Sequence, residues 1–430
     1  MLQEFGVAKK LDFIELSDFC RIIYPEHDFV VDFNREHFLQ FLNNNFSQER
    51  ENISRLFKGL DEFYKEFDKF DNSKLPLAIR IAIGLFRYQN FFKATTLTVE
   101  ELLSQYIKDE KLSGILTDIW KFLGCAPDRL SALYFLVALR GYYFRPTAYI
   151  KGGSAHLFKA IIDKIEGNGS RIIYNTFISE IITSDGKNVL GVCTDKGEEL
   201  RAKVVISNAN AIDTLTKLLD NPILKQKYYD KLSKMERSLS AFQVYLGLNV
   251  TTAKLGMENF MLSISTTYNQ QENYLYSVNE NWDNCVLEIV DHSKLDSNLA
   301  PPGKSTLTII TFDAYSNWEH LEKAQYQKRK LDLADKLIQR VEKYLPGLKK
   351  HIEVMEIATP KTMFRYTLNT DGAIYGFSQT VKQSGMNRLS QETDVKGLLL
   401  SGSWTQPGGG VSACFISGID AADIALKLLK

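Results

Sequence analysis

Apolar side chains recur along residues 53–70 at intervals of three and four: Ile53, Leu56, Phe57, Leu60, Phe63, Tyr64, Phe67 and Phe70. On a helix these positions share one face, so the spacing predicts an amphipathic helix packed by that face. Asp71-Asn72-Ser73 ends it. Residues 75–145 read as further helices, through the runs LPLAIRIAIGLF, TVEELLSQYI, LSGILTDIWKFLG and RLSALYFLVALRGYYF. Helices apolar on every side are buried, line a hydrophobic cavity or touch a membrane surface. From residue 171 the period drops to two. Residues 171–174 are expected as a short strand, and residues 178–183 and 189–194 flank Asp185-Gly186, a hairpin signal. A turn at Asp195-Lys196-Gly197 leads to a strand over 198–201. Residues 203–207, centred on Val204-Val205-Ile206, then read as a buried parallel strand. The runs AFQVYLGLNV, ENYLYSV, CVLEIV and STLTIITF predict a second, mostly antiparallel sheet between residues 240 and 312. A helix over about 328–344 places Ala334, Leu337, Ile338, Val341 and Tyr344 on one face and stops at Pro346-Gly347.

Composition narrows the class. Across 430 residues, 52 basic and 52 acidic side chains cancel, which argues against a nucleic-acid-binding surface as the main task. A hydrophobic share of 44% argues against disorder. The length suggests two or three domains, or one large α/β unit carrying a second domain. The best apolar candidate for a bilayer span, residues 133–139, is cut short by Arg140. The opening MLQEFGVAKK does not have the form of a signal peptide. Cys20, Cys125, Cys193, Cys285 and Cys414 lie far apart with no CxxC, and the histidines form no HxxxH or HxxEH pair. A reducing, cytoplasmic setting follows, with no disulfide framework and no zinc site.

The sharpest chemical signal lies in the last fifty residues. Residues 397–402 (GLLLSG) read as a buried strand, 403–407 (SWTQP) as a loop, and Gly408-Gly409-Gly410 as the lead into a helix from Val411 to about Leu428. Glycines before a helix admit a ligand close to the backbone. The helix's free N–H groups and positive dipole end then face an anionic or electron-rich group. Ser412, Ala413, Ser417, Gly418, Ala421 and Ala422 keep its first turns small for close packing. An ordinary glycine-rich strand–loop–helix connection remains the alternative, because glycine loops are weak signals by themselves. Other patterns fail: Gly167-Asn168-Gly169 has Ile172 where a third glycine belongs, and Gly410-Val411-Ser412-Ala413-Cys414 lacks the closing glycine of a nucleophile elbow. Tyr142, Tyr143, Phe144 and Tyr149, ahead of Lys151-Gly152-Gly153-Ser154, are candidates for an apolar tunnel wall or for plain aromatic core.

Four stretches taken together carry a resemblance: YIKGGSAHLFKAIIDKIEGNGSRI, NTFISEIITSDGKNVLGVCTDKGEELRAKVVISNANAIDT, TPKTMFRYTLNTDGAIYGFSQT and GLLLSGSWTQPGGGVSACFISGIDAADIAL. In this order they resemble the phytoene desaturase, carotenoid isomerase and retinol saturase family of FAD-dependent oxidoreductases, within the amine-oxidase-type flavoproteins. The resemblance implies a mixed α/β chain: a Rossmann-like FAD/NAD(P)-binding domain interwoven with a substrate domain of antiparallel sheet plus helices. The corresponding division is substrate domain over 1–150 and 216–390, and FAD-binding domain over 151–215 and 391–430. By the same resemblance Gly402 and Ser403 lie near the ribityl and pyrophosphate groups, and Gly409, Gly410 and Val411 lie against the flavin ring. Ile178 meets adenine through its backbone, and Asn208 sits close to the cofactor. Related flavoproteins often hold a ribityl hydroxyl with an acidic residue at the position of Ser403, so serine is a departure. Tyr142, Tyr143, Phe144, Tyr149, Tyr375 and Phe377 are the implied tunnel residues.

The larger departure is at the start. The family opens with a strand, GxGxxG, a helix and a strand ending in an acidic residue, which together bind the ADP half of FAD. Nothing in MLQEFGVAKKLDFIELSDF matches. The expectation is therefore a flavoprotein domain incomplete at its N-terminus, with the strands at 171–174 and 204–206 left with open apolar edges that invite another chain. Three function classes follow, the last of them a lipid-binding or membrane-surface protein that uses the helices at 75–145 and leaves the C-terminal glycine loop unexplained. The first is an FAD-dependent oxidoreductase desaturating, saturating or isomerising C=C bonds of an apolar polyene or isoprenoid, with peripheral contact at the inner membrane surface left open. The second is a non-catalytic remnant or split-enzyme subunit, whose ADP-binding βαβ unit would come from a partner chain.

Overall fold

The computed structural model describes residues 2–73 and 75–430. In chain order the strands are β1 (Phe13–Glu15), β2 (Cys20–Ile23), β3 (Asp28–Val31), β4 (Ala148–Ile150), β5 (Ile178–Ser184), β6 (Asn188–Thr194), β7 (Glu199–Arg201), β8 (Val205–Ser207), β9 (Ser240–Leu248), β10 (Met261–Ile264), β11 (Leu287–Val290), β12 (Ser305–Asp313), β13 (Ile352–Ala358) and β14 (Leu398–Leu400). The α-helices are α1 (Arg35–Asn45), α2 (Arg50–Asp71), α3 (Leu77–Arg87), α4 (Gln89–Ala94), α5 (Val99–Leu103), α6 (Glu110–Leu116), α7 (Ala132–Tyr143), α8 (Gly153–Gly167), α9 (Ala211–Asp213), α10 (Pro222–Leu232), α11 (Gln270–Val278), α12 (Lys323–Glu342), α13 (Pro360–Thr367) and α14 (Val411–Leu428).

Periodicity decides where these elements pack. A seven-stranded sheet runs β13-β9-β12-β11-β10-β2-β3 and is antiparallel except where β10 meets β2. Alternate residues of its strands, among them Phe242, Val244, Leu246, Ile264, Leu287 and Ile309, form one core with Leu333, Leu337, Ile338 and Val341 of α12. The opposite face carries Ile22, Val31, Met261 and Phe312 into a second core shared with the helices between residues 35 and 143. There α2 buries Ile53, Leu56, Phe57, Leu60 and Phe63, the stripe that the spacing predicts. A third core, containing Leu398, Leu400, Phe377 and Trp404, surrounds the short parallel pair β14-β8. Beside it the meander β5-β6-β7 turns at Asp185 and Gly186, both at positive φ. No helix among the described residues is long and apolar enough to cross a membrane.

Three sequence expectations differ from the structure. β8 pairs in parallel as expected but is not buried, because one of its edges meets no described strand, and Ile206 is exposed. ENYLYSV is helix α11, not strand. Asn269 caps it by accepting the Glu272 N–H, and the helical turn brings Gln270, Asn273 and Ser277 inward. Gln270 then accepts the Trp120 indole N–H at 2.7 Å and donates to the Tyr24 hydroxyl at 2.6 Å. Buried polar groups with those partners outweigh local strand propensity. Residues 171–174 form no strand, because no described strand lies beside them to complete a ladder. Ile173 and Tyr174 are left exposed.

Candidate functional site: the glycine cradle between β14 and α14

β14 and β8 pair in parallel, with Leu398 opposite Val205 and Leu400 opposite Ser207. Parallel pairing brings both strand ends to the same side, so Asn208 and Gly402 become neighbours. A Cβ on Gly402 would stand 2.2 Å from Asn208 Oδ1, a contact only glycine avoids. The Gly402 N–H donates to Ser417 Oγ of α14 at 3.0 Å, and Ser417 Oγ lies 2.8 Å from Thr405 Oγ1. The small residue in the second turn of α14 thus locks the loop to the helix.

Further along, the Tyr134 hydroxyl donates to the Gly409 carbonyl at 2.7 Å. A Cβ on Gly409 would lie 3.0 Å from the Tyr375 carbonyl, so this loop rests directly on the Tyr375 backbone. Gly410 then adopts φ +102°, ψ 147°, and nothing lies within 4 Å of the position a Cβ would take. Val411 opens α14 without a side-chain cap and is 66% exposed. An 18-residue helix therefore presents its first N–H groups and the positive end of its dipole to open space. That is an anion-receptive cradle with a rigid floor.

The floor is fixed by Arg388, which is 2% exposed. Its Nε donates to the Thr405 carbonyl at 2.8 Å, its Nη1 to the carbonyls of Phe377 (3.1 Å) and Gln383 (3.3 Å), and its Nη2 to the Ser403 carbonyl. Burial pushes the Tyr134 hydroxyl up to about 12 and raises the Tyr375 hydroxyl and the Cys414 thiol. All three are neutral at pH 7.

The structure brings several sequence-identified residues together. Asn208, Gly402, Ser403, Gly409, Gly410 and Val411 meet around the ends of β8, β14 and α14. Ile178 opens β5, opposite Thr194. Among the aromatic candidates, Tyr375 borders Gly409 and neighbours Tyr134 and Tyr142. Tyr142 stacks on Phe122 at 5.3 Å. The others lie elsewhere. Tyr143 is 1% exposed, packed in the helical core against Phe38 at 5.2 Å. Phe144 packs on Phe57, and Phe377 is buried edge-on against Trp404 at 4.9 Å. Tyr149, in β4, faces His292. Sequence reasoning missed Arg388, Tyr134 and the role of Ser417. Only Ser417 left a signal, as one of the small residues of α14. Among the described residues no His, Cys, Asp and Glu cluster could hold a metal ion.

Sequence comparison matches residues 1–426 to the flavin containing amine oxidoreductases. The chain belongs to that family. Among curated members, prolycopene isomerase 1 (chloroplastic) of an Oncidium hybrid cultivar is 28% identical over 405 residues, covering 90% of this chain and 65% of the relative. The chain thus spans just under two thirds of that relative's length. The 4,4'-diapophytoene desaturase (4,4'-diapolycopene-forming) of a Methylomonas species is 25% identical over 435 residues, covering 98% of this chain and 80% of the relative. The crystal structure of an oxidoreductase from Methanosarcina mazei superposes with a TM-score of 0.63 at 14% identity, covering 98% of this chain and 84% of that one. At that identity the likeness concerns the fold, a mixed α/β flavoprotein architecture.

Proposed function

We propose that the cradle holds FAD and that the chain acts as an oxidoreductase on C–C or C=C bonds of an apolar polyene or isoprenoid. The observation that carries this reading is the uncapped, exposed start of α14 behind Gly410, set at the ends of two parallel strands. The curated relatives support the substrate class through their names, an isomerase of prolycopene and a desaturase of diapophytoene. Bound flavin supplies the hydride acceptor or donor that carbon–carbon chemistry requires. The residues of the chain do the rest. Gly409, Gly410 and Val411 receive the ring, while Gly402, Ser403 and Asn208 line the strand ends that meet its tail. Ile178 offers backbone contact for the adenine end. Tyr142 and Tyr375, beside Tyr134, form the dry wall next to the cradle and orient an apolar substrate. Purified protein should carry a yellow chromophore that bleaches on reduction. A folded, colourless protein with no affinity for added FAD refutes the reading that this chain holds FAD unaided.

A second reading concerns a partner and rests on β8. The Val205 N–H donates to the Gly397 carbonyl at 2.8 Å and the Ser401 N–H to the Ser207 carbonyl at 2.9 Å, so Val205 and Ser207 face β14. The alternate residues Val204 and Ile206 turn to the other edge, where no described strand pairs. Ile206 is 44% exposed there. A further strand, supplied with a phosphate-binding glycine turn by another polypeptide segment, completes this sheet and the ADP end of the site. Peripheral contact with a membrane, from which an apolar substrate is drawn, belongs to the same proposal.

A further inference from the structure

Arg388 has a feature that its carbonyl clamp does not explain. Among the described residues no Asp or Glu pairs with it, and the groups that act on it electrostatically are Tyr134 and Cys414, both neutral at pH 7. Burial pushes the guanidinium down to about 10, yet it stays protonated at neutral pH. A buried cation without a carboxylate partner costs several kcal/mol; the four carbonyls offset part of that cost and leave the net positive charge on the guanidinium. Its Cζ lies 3.5 Å from the point where a side chain on Gly408 would begin, two residues before the open cradle at Gly410. Gln379 reaches the same region: its Nε2 stands 1.8 Å from that point and donates to the Pro407 carbonyl at 3.4 Å, and its buried Oε1 has no hydrogen-bond partner among the described residues. Arg388 and the start of α14 therefore place positive potential on one loop from two independent sources.

We infer that Arg388 is the fixed counter-charge of the cradle, a positioning residue that favours the electron-rich, reduced form of the ring bound at Gly409–Val411 over its oxidised form. This deepens the FAD reading above and rests on it. Reduction adds two electrons to the ring, and a fixed cation nearby stabilises the charge left on it. Arg388 thereby raises the two-electron potential and sets how readily the ring accepts hydride from a hydrocarbon.

The experiment compares FAD-loaded wild type with Arg388→Met, Arg388→Lys, Cys414→Asp and Cys414→Asn, reading the two-electron potential against reference dyes and the thermal midpoint of each protein. Arg388→Met should weaken binding of reduced relative to oxidised FAD by about tenfold, which is about 30 mV for a two-electron couple. Arg388→Lys keeps the charge but not the fork, so it should lose thermal stability and keep the potential. Cys414→Asp tests the charge even if Arg388→Met fails to fold. It leaves the carbonyl clamp in place and offers the guanidinium a carboxylate, so the potential should fall as for Arg388→Met, while Cys414→Asn should hold the wild-type value. Equal potentials in wild type, Cys414→Asp and Cys414→Asn, with FAD bound to all, overturn the inference and leave the cradle reading intact. Absence of FAD binding by the wild type overturns the cradle reading and the inference with it.

Discussion

Gly410→Ala separates the cost of backbone geometry from the cost of filling the cradle. At φ +102°, ψ 147° the residue occupies a region that essentially only glycine visits, so alanine there costs about 1–3 kcal/mol in stability. Nothing lies within 4 Å of the added methyl, so no packing clash adds to that figure. A domain stable by about 5–15 kcal/mol tolerates the loss and stays folded. The same methyl projects into the open space beside the first N–H groups of α14, where the proposal puts the ring. FAD affinity should then fall at least about tenfold, or about 1.4 kcal/mol. Gly197→Ala is the matched control. Gly197 also has positive φ (+81°) and open surroundings, but it sits in the turn between β6 and β7. It should lose stability, by about 1–2 kcal/mol, with no change in FAD binding. Urea denaturation gives the first quantity and titration of protein into FAD, followed by flavin fluorescence, gives the second. Wild-type FAD affinity in Gly410→Ala, or an equal loss in Gly197→Ala, refutes the cradle argument.

Lys121 is buried with its Nζ 2.9 Å from both Asp118 Oδ2 and Glu288 Oε1, so Lys121→Met should lose about 3–5 kcal/mol in urea denaturation by stranding two carboxylates. Adding Glu288→Gln should recover part of the loss; strict additivity of the two substitutions counts against a coupled network. Burial, opposed by bonds from Asn317 and Trp318, raises the Asp313 carboxyl to about 7. The folded state therefore holds a proton that the unfolded chain releases near pH 4, and the stability this contributes is complete below that pH and is lost as pH rises through 7. Asp313→Asn should gain on the wild type in thermal denaturation between pH 5 and pH 8, and a pH-independent difference would falsify that assignment. Ile206→Lys places a charge on the open edge of β8 and should reduce concentration-dependent self-association in light scattering, without moving the unfolding midpoint by more than about 0.5 kcal/mol.

Much of the architecture was legible where the signal is local. The stripe on α2, the turn at Asp185-Gly186 and the glycines before α14 each state their structure within a few residues. The failures have a common cause in tertiary partners. ENYLYSV reads as a strand by propensity, but Trp120 and Tyr24, more than a hundred residues upstream, make Gln270 a satisfied buried group only if that segment is helical. Residues 171–174 have strand composition and no neighbour to pair with. An isolated extended segment gains too little to offset its ordering entropy.

The candidate site shows the same division one level up. Glycines mark themselves because the missing Cβ is what a close approach requires, as at Gly402 beside Asn208. Arg388 could not be found this way, because every acceptor it meets is a backbone carbonyl, and a carbonyl is present at every position in any sequence. Aromatic residues fail in the opposite direction. Tyr143 and Phe377 are as good tunnel candidates by composition as Tyr142 and Tyr375, but the first two fill cores while Tyr375 meets Gly409. Side-chain chemistry thus identifies what a position can bind, and only the packing decides whether it faces a ligand or a neighbour. Arg388 bears more directly on the proposed cradle than the aromatic residues do, because its buried guanidinium meets the loop carbonyls beside Gly408 and pairs with no Asp or Glu among the described residues.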